Sequence, residues 1–77
     1  MNDMNDRLVL IDERLDGRVA LLTLNRPDAT NAIDDDMALA IEAAVAQITA
    51  SPRIEAVVLT GAGRIFCSGG DVGVFKA

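Results

Sequence analysis

The chain has 77 residues, room for one small domain at most, and its composition excludes several classes of protein. Hydrophobic residues make up 51% of the chain and aromatic residues only 3%, so a core must be built from aliphatic side chains and alanine. Twelve acidic against seven basic residues give a net charge of -5, the wrong sign for neutralising nucleic-acid phosphates. One cysteine and no histidine exclude an internal disulfide and a self-contained hydrolase triad.

The amino-terminal segment, residues 1–7, is polar and acidic and predicts a flexible start rather than a targeting signal. A secretory signal needs a basic segment before an apolar run, and a mitochondrial transit peptide is rich in arginine and poor in acids. No apolar stretch approaches the roughly 20 residues needed to span a bilayer. The sequence therefore favours a cytoplasmic protein with neither a membrane nor a nucleic-acid partner.

Two β-rich runs joined by Asp16-Gly17 predict an antiparallel hairpin over residues 8–24, because Asp-Gly is a strong turn signal. The second run, residues 19–24, is almost wholly apolar, which predicts a strand covered on both faces. Asn25-Arg26-Pro27 ends this strand, since proline has no N–H to donate to a strand ladder.

A helix is predicted over residues 34–50, because three aspartates at its start favour the positive end of the helix dipole. Residues 54–60 predict a second buried strand, so the chain from residue 19 onward forms a strand-helix-strand crossover with parallel strands. The fold class is therefore α/β. The helix carries an apolar stripe that should face the core, and it comprises Met37, Ile41, Val45 and Ile48.

The segment 61–71 carries four of the six glycines and follows the carboxyl end of a parallel strand, where ligands tend to bind in α/β sheets. A nucleotide-binding turn does not fit, because Phe66 stands where the dinucleotide pattern needs its third glycine. The glycines could serve only tight turns. Alternatively, the small residues 68–71 would leave backbone N–H groups uncovered at a helix start, which suits a developing oxyanion.

The motifs together resemble the amino-terminal part of the enoyl-CoA hydratase/isomerase (crotonase) family, over residues 8–76. They are a strand ending in Asn-Arg-Pro, the pair Asn31-Ala32, and the run Phe66-Cys67-Ser68-Gly69-Gly70-Asp71. The resemblance implies the amino-terminal portion of a crotonase-like ββα superhelix and the binding of acyl-CoA thioesters, with coenzyme A as part of the substrate and no separate cofactor or metal.

The resemblance also assigns roles to individual residues. The backbone N–H of Gly70 would be one of two donors to the thioester oxygen. Arg26 would either meet a phosphate of coenzyme A or lie exposed at the strand end. The remaining residues implied near the ligand are Ala29 and Ala32 along the pantetheine and adenine, and Ser68, Asp71 and Val72 around the thioester.

The second oxyanion donor and the acid/base carboxylates of the family are expected beyond the point that matches Ala77, so the chain resembles the front third of an enzyme and is expected to be inactive alone. Full-length relatives are expected to form trimers or hexamers. Two other interpretations stay open at this point, a module that binds coenzyme A without turning it over and a structural fragment without a ligand.

Overall fold

The computed structural model describes residues 7–69 and has one three-stranded sheet and one α-helix in that range. The strands run in the order β1-β2-β3, with β2 in the centre. This is the predicted α/β arrangement of a hairpin followed by a helix and a strand. The elements are β1 (Val9–Arg14), β2 (Val19–Leu24), a short 3-10 helix (Pro27–Ala29), α1 (Asp35–Thr49) and β3 (Ala56–Gly61).

The hairpin closes through a four-residue turn between β1 and β2, which pair antiparallel. The Gly17 N–H donates to the Arg14 carbonyl at 3.2 Å. Positive φ angles are found at Gly17 and also at Leu15 and Asp16, with values of 83°, 53° and 59°. Leu15 and Asp16 are the two central residues of the turn that this bond closes, and their positive φ angles match the twist of a hairpin. The Asp-Gly pair therefore predicted the position of the turn, but it did not predict the left-handed backbone of Leu15.

The predicted crossover is present, because β2 and β3 pair in parallel with α1 between them in sequence. Val19 is opposite Ala56 at one end of the pairing, and Leu24 is opposite Gly61 at the other. The strand predicted over 54–60 thus starts two residues later and ends one residue later. The first residue of β3, Ala56, is the one that pairs with Val19, the first residue of β2.

The helix begins where the aspartates predicted it, with Asp34 as the N-cap. The Asp34 backbone is extended, and its Oδ1 accepts a hydrogen bond from the Met37 N–H at 2.9 Å. This bond satisfies one of the orphan donors of the first turn, and Asp35 and Asp36 add negative charge at the positive end of the dipole. Thr49 is the last helical residue, followed by Ala50 at the C-cap.

The core-facing stripe of α1 differs from the predicted one at a single position. Val45 is 48% exposed, whereas Ala44 is buried at 5%. With roughly 100° of rotation per residue, position 44 lies about 20° from Met37 around the axis and position 45 lies about 80° from it. The observed core cluster is formed by Val9, Ala20, Leu22, Leu24, Met37, Ala44 and Ile48.

The prediction that both parallel strands are covered on both faces is wrong for this chain. Along β2, buried residues alternate with partly exposed ones, so only one face packs fully. In β3, Val57, Val58 and Leu59 are about half exposed, at 50%, 50% and 51%. These side chains are exposed because the single helix covers only one face of the sheet, and because β3 is an edge strand within the described chain.

Several predictions lie outside the described residues. They are the first six residues of the flexible start predicted over 1–7, the end of the glycine-rich segment from residue 70, and the roles of Gly70, Asp71 and Val72. Between residues 7 and 69, no helix has both the length and the apolar character that a membrane crossing requires.

Candidate functional site

Two loops follow the carboxyl ends of the parallel strands β2 and β3 and form the candidate site. The β2 loop, residues 25–34, follows Leu24, and the β3 loop, residues 62–69, follows Gly61. Leu24 and Gly61 are opposite each other in the parallel ladder, so both loops start side by side. The Ala62 N–H extends the ladder by donating to the Leu24 carbonyl at 2.8 Å. The carboxyl ends of parallel strands are where α/β proteins usually bind ligands.

A buried amide, Asn31, joins the two loops. Its side chain has no exposed surface, and its backbone is left-handed with φ of 55°. Its Nδ2 donates to the Ala62 carbonyl at 3.0 Å and to the Ile65 carbonyl at 2.8 Å, while its Oδ1 accepts from the Arg26 N–H at 2.7 Å. One side chain therefore fixes the start of the β2 loop to both ends of a turn in the β3 loop.

Backbone groups complete the connection between the loops. The Ser68 N–H donates to the Thr30 carbonyl, and the Ile33 N–H donates to the Gly69 carbonyl, both at 3.0 Å. The Cys67 thiol donates to the Asn31 carbonyl at 3.3 Å. The β3 loop is thus held along its length by the β2 loop.

Gly61, the last residue of β3, lies close to both loops. A Cβ built on it would lie 2.2 Å from the Phe66 carbonyl oxygen and 2.8 Å from Asn31 Nδ2. Real Cβ atoms do not approach other atoms so closely, so the site needs glycine here for space rather than for a positive φ. Sequence reasoning took this glycine as part of a generic turn and gave Asn31 no role beyond its place in a motif.

The sequence predicted that residues 68–71 leave their backbone N–H groups uncovered. The two of these residues that the structure describes, Ser68 and Gly69, do not follow this prediction. The Ser68 N–H is used by Thr30, and the Gly69 N–H donates to Cys67 Sγ at 3.3 Å. Neither group is a free oxyanion donor. Gly69 has a φ of 108°, and no atom of residues 7–69 lies within 4 Å of the position where a Cβ would stand.

Three of the implied ligand residues are in the described chain, and they lie on the two joined loops. Ala29 and Ala32 are half-buried in the β2 loop, and Ser68 is exposed in the β3 loop. The structure thus brings to one sheet edge the two groups that the resemblance assigns to different parts of coenzyme A. The roles predicted for Gly70, Asp71 and Val72 stay predictions.

Arg26 lies at the end of β2 and pairs with an acidic side chain, and its predicted contact with a phosphate of coenzyme A stays a prediction. Its Nη1 forms an ion pair with Asp34 Oδ2, and both side chains are about one-third exposed, at 36% and 29%. The pair joins the two ends of the β2 loop. The Met37 N–H bond and the Arg26 guanidinium together hold the pKa of the Asp34 carboxyl below its ordinary value of 3.8.

The lowered pKa of the Asp34 carboxyl predicts how the free energy of unfolding depends on pH. Because its pKa is lower in the folded chain, its charged form contributes stability above pH 3.8, and that contribution is lost as the pH falls through the lower folded value. We expect the urea midpoint to drop between about pH 5 and pH 2. The Asp34→Asn variant, which keeps an N-cap acceptor without the charge, should show a shallower drop. Equal slopes for the two proteins would contradict this assignment.

The acidic run at the start of α1, residues 34–36, lies at the N-cap and in the first turn of the helix. Among the side chains of residues 7–69, no three carboxylate, cysteine or histidine groups come together in a way that could hold an ion. Asp34 is committed to the helix cap and to Arg26, and Asp35 and Asp36 are exposed. The run therefore serves the helix start, as first-turn carboxylates commonly do.

These features define an α/β protein whose candidate site is made from backbone groups and small residues at the carboxyl ends of two parallel strands. Residues 19–77 match the family model described as enoyl-CoA hydratase/isomerase. The chain belongs to the enoyl-CoA hydratase/isomerase family, which confirms the resemblance drawn from its motifs.

Individual relatives agree with this assignment. The chain is 43% identical over 63 residues to EchA14 of Mycobacterium tuberculosis, which is described as a probable enoyl-CoA hydratase, and the match covers 82% of the chain and 25% of that relative. The chain is also 47% identical over 53 residues to echA12 of Mycobacterium leprae, a match that covers 69% of the chain and 18% of the relative. The chain spans about a quarter or less of the length of the curated relatives it matches.

Solved structures show the same fold. The crystal structure of the enoyl-CoA hydratase EchA12_1 from Mycobacterium marinum superimposes with a TM-score of 0.76 at 42% identity, over 83% of this chain and 32% of that one. An enoyl-CoA hydratase from Mycobacterium tuberculosis H37Rv gives 0.77 at 32% identity, over 90% of this chain and 27% of that one. The chain thus has the fold of an amino-terminal part of these enzymes.

Proposed function

We propose that the chain is the acyl-CoA-binding front part of an enoyl-CoA hydratase/isomerase-type enzyme, and that it polarises the thioester carbonyl through a backbone oxyanion hole. The observation that carries the proposal is the pair of joined loops at the carboxyl ends of β2 and β3. One loop carries Ala29 and Ala32 for the pantetheine and adenine, and the other leads through Ser68 to Gly70.

In the proposed reaction, negative charge develops on the thioester oxygen as an enolate-like intermediate forms. A backbone N–H aimed at that oxygen stabilises the charge more in the transition state than in the ground state. The family resemblance assigns the donor from this loop to Gly70, and the assignment is consistent with the Ser68 and Gly69 N–H groups already having partners. No side chain of Gly70 is needed for this role.

A proton acceptor and a second oxyanion donor are also required. Asp34, the carboxylate at the end of the β2 loop, is already bound to the Met37 N–H and to Arg26. We propose that the acid/base carboxylates and the second donor come from segments that correspond to the rest of the relatives. Coenzyme A would enter as part of the substrate without a separate cofactor, and assembly as a trimer or hexamer is part of the same proposal.

To test the proposal, the natural gene product is mixed with crotonyl-CoA and assayed for turnover, and its binding of butyryl-CoA is measured separately. Loss of the conjugated enoyl thioester absorbance, together with calorimetric binding of butyryl-CoA, is the expected result. Binding without turnover would overturn the catalytic part and leave a module that holds coenzyme A. Absence of heat with butyryl-CoA would overturn the proposal as a whole.

A further inference from the structure

We infer that Asn31 is a positioning residue that sets the separation between the nucleotide side and the thioester side of the acyl-CoA site, an inference that rests on the function proposed above. The Asn31 Oδ1 holds the Arg26 N–H at the start of the β2 loop, and the Asn31 Nδ2 holds the Ala62 and Ile65 carbonyls of the β3 loop.

The side chain suits this task because all its polar groups are used and none is exposed. A primary amide offers two donors and an acceptor in one plane, which is the set that two carbonyls and one N–H require. Aspartate would place an oxygen against two carbonyl oxygens, and glycine would leave the three backbone groups without this partner. The left-handed φ of 55° is also one that asparagine tolerates better than most residues.

The two loops are proposed to contact different parts of the ligand. A change in the distance between the loops should therefore weaken ligands that contact both loops more than ligands that contact one. A ligand that spans both loops must satisfy the contacts of Ala29 and Ala32 together with those of Ser68. A ligand that meets only the β2 loop is indifferent to where the β3 loop lies. Misplacement by about 1 Å in such a site can cost about 100-fold in rate.

The test compares two ligands on the natural gene product and its Asn31→Gly variant, using calorimetry. Butyryl-CoA spans both loops, and adenosine 3′,5′-bisphosphate represents the nucleotide portion alone. We expect Asn31→Gly to weaken butyryl-CoA by about tenfold or more and the bisphosphate by a clearly smaller factor, because glycine also removes the bond to the Arg26 N–H within the β2 loop. Asn31→Asp, which preserves the shape of the side chain, should give the same split and serves where the glycine variant does not fold.

A control separates positioning from general loss of stability. Ile48→Val removes a methylene group from the buried end of α1, away from both loops, and should leave the ratio of the two affinities unchanged. Equal weakening of both ligands by the Asn31 variants would overturn the inference while the proposed function stands. Failure of the unmodified protein to bind either ligand would instead overturn the proposed function and the inference with it.

Discussion

Replacement of Gly61 by alanine is expected to destabilise the protein by about 3 kcal/mol or more. The added Cβ would meet the Phe66 carbonyl oxygen at 2.2 Å, so the β3 loop must move away from the strand. Overpacking alone costs typically about 1–3 kcal/mol. The same movement would disturb the Asn31 bonds to Ala62 and Ile65, and each hydrogen bond contributes about 0.5–1.5 kcal/mol. Urea unfolding should show the loss as a lower midpoint.

The preceding strand position supplies the control for Gly61→Ala. Thr60 is partly exposed, and its replacement by alanine makes no new close contact, so the expected change is within about 1 kcal/mol. Similar midpoints for Gly61→Ala and the unmodified protein would show that the loop can shift without cost. The close approach of the β3 loop to the strand would then not be a requirement of the fold.

The elements of this fold were predictable because each depends on local signals. Asp34 caps the helix through its own side chain, and Asp16-Gly17 marks the hairpin turn, so neither needs distant parts of the chain. The parallel pairing of β2 with β3 followed from the helix between two apolar runs. For the cap and the turn, the residues that decide the structure lie within a few positions of one another, whereas the strand pairing follows from the order of the elements.

Burial was predicted less well, because it depends on what packs against an element. Val45 and Ala44 are adjacent in sequence, and only the orientation of α1 on the sheet decides that the smaller residue faces the core. The apolar composition of β3 indicates that this strand is suited to burial on both faces. Val57, Val58 and Leu59 are nevertheless about half exposed, since burial of a strand requires elements beyond the strand itself.

The candidate site was only partly predictable, because its organisation depends on contacts across more than 30 positions. The Asn31 amide bonds carbonyls 31 and 34 residues away, and nothing in the local sequence indicates these partners. A signal was present in the residue type, since asparagine tolerates left-handed backbone and offers both donors and an acceptor. The engagement of the Ser68 N–H was equally invisible, because its acceptor, the Thr30 carbonyl, lies on the other loop.

Substitution of Gly70 by proline is expected to lower kcat for crotonyl-CoA by about 100-fold to 1,000-fold, because proline has no N–H to donate to the thioester oxygen. Loss of a single donor to an oxyanion commonly has an effect of this size. The donor acts mainly on the charge that develops during the reaction, so binding of butyryl-CoA in the ground state should change far less than kcat. Steady-state kinetics and calorimetry on the same variant measure the two effects.

Gly70→Ala is the matched control, since it adds a methyl group and keeps the N–H. We expect its kcat to remain within a few-fold of the unmodified value, because the proposed donor is the main chain and not a side chain. If Gly70→Pro and Gly70→Ala lower kcat to the same extent, the loss comes from a change in the loop and the donor must be sought elsewhere. If Gly70→Pro keeps its kcat, this amide does not stabilise the enolate, and the oxyanion assignment fails at its central residue.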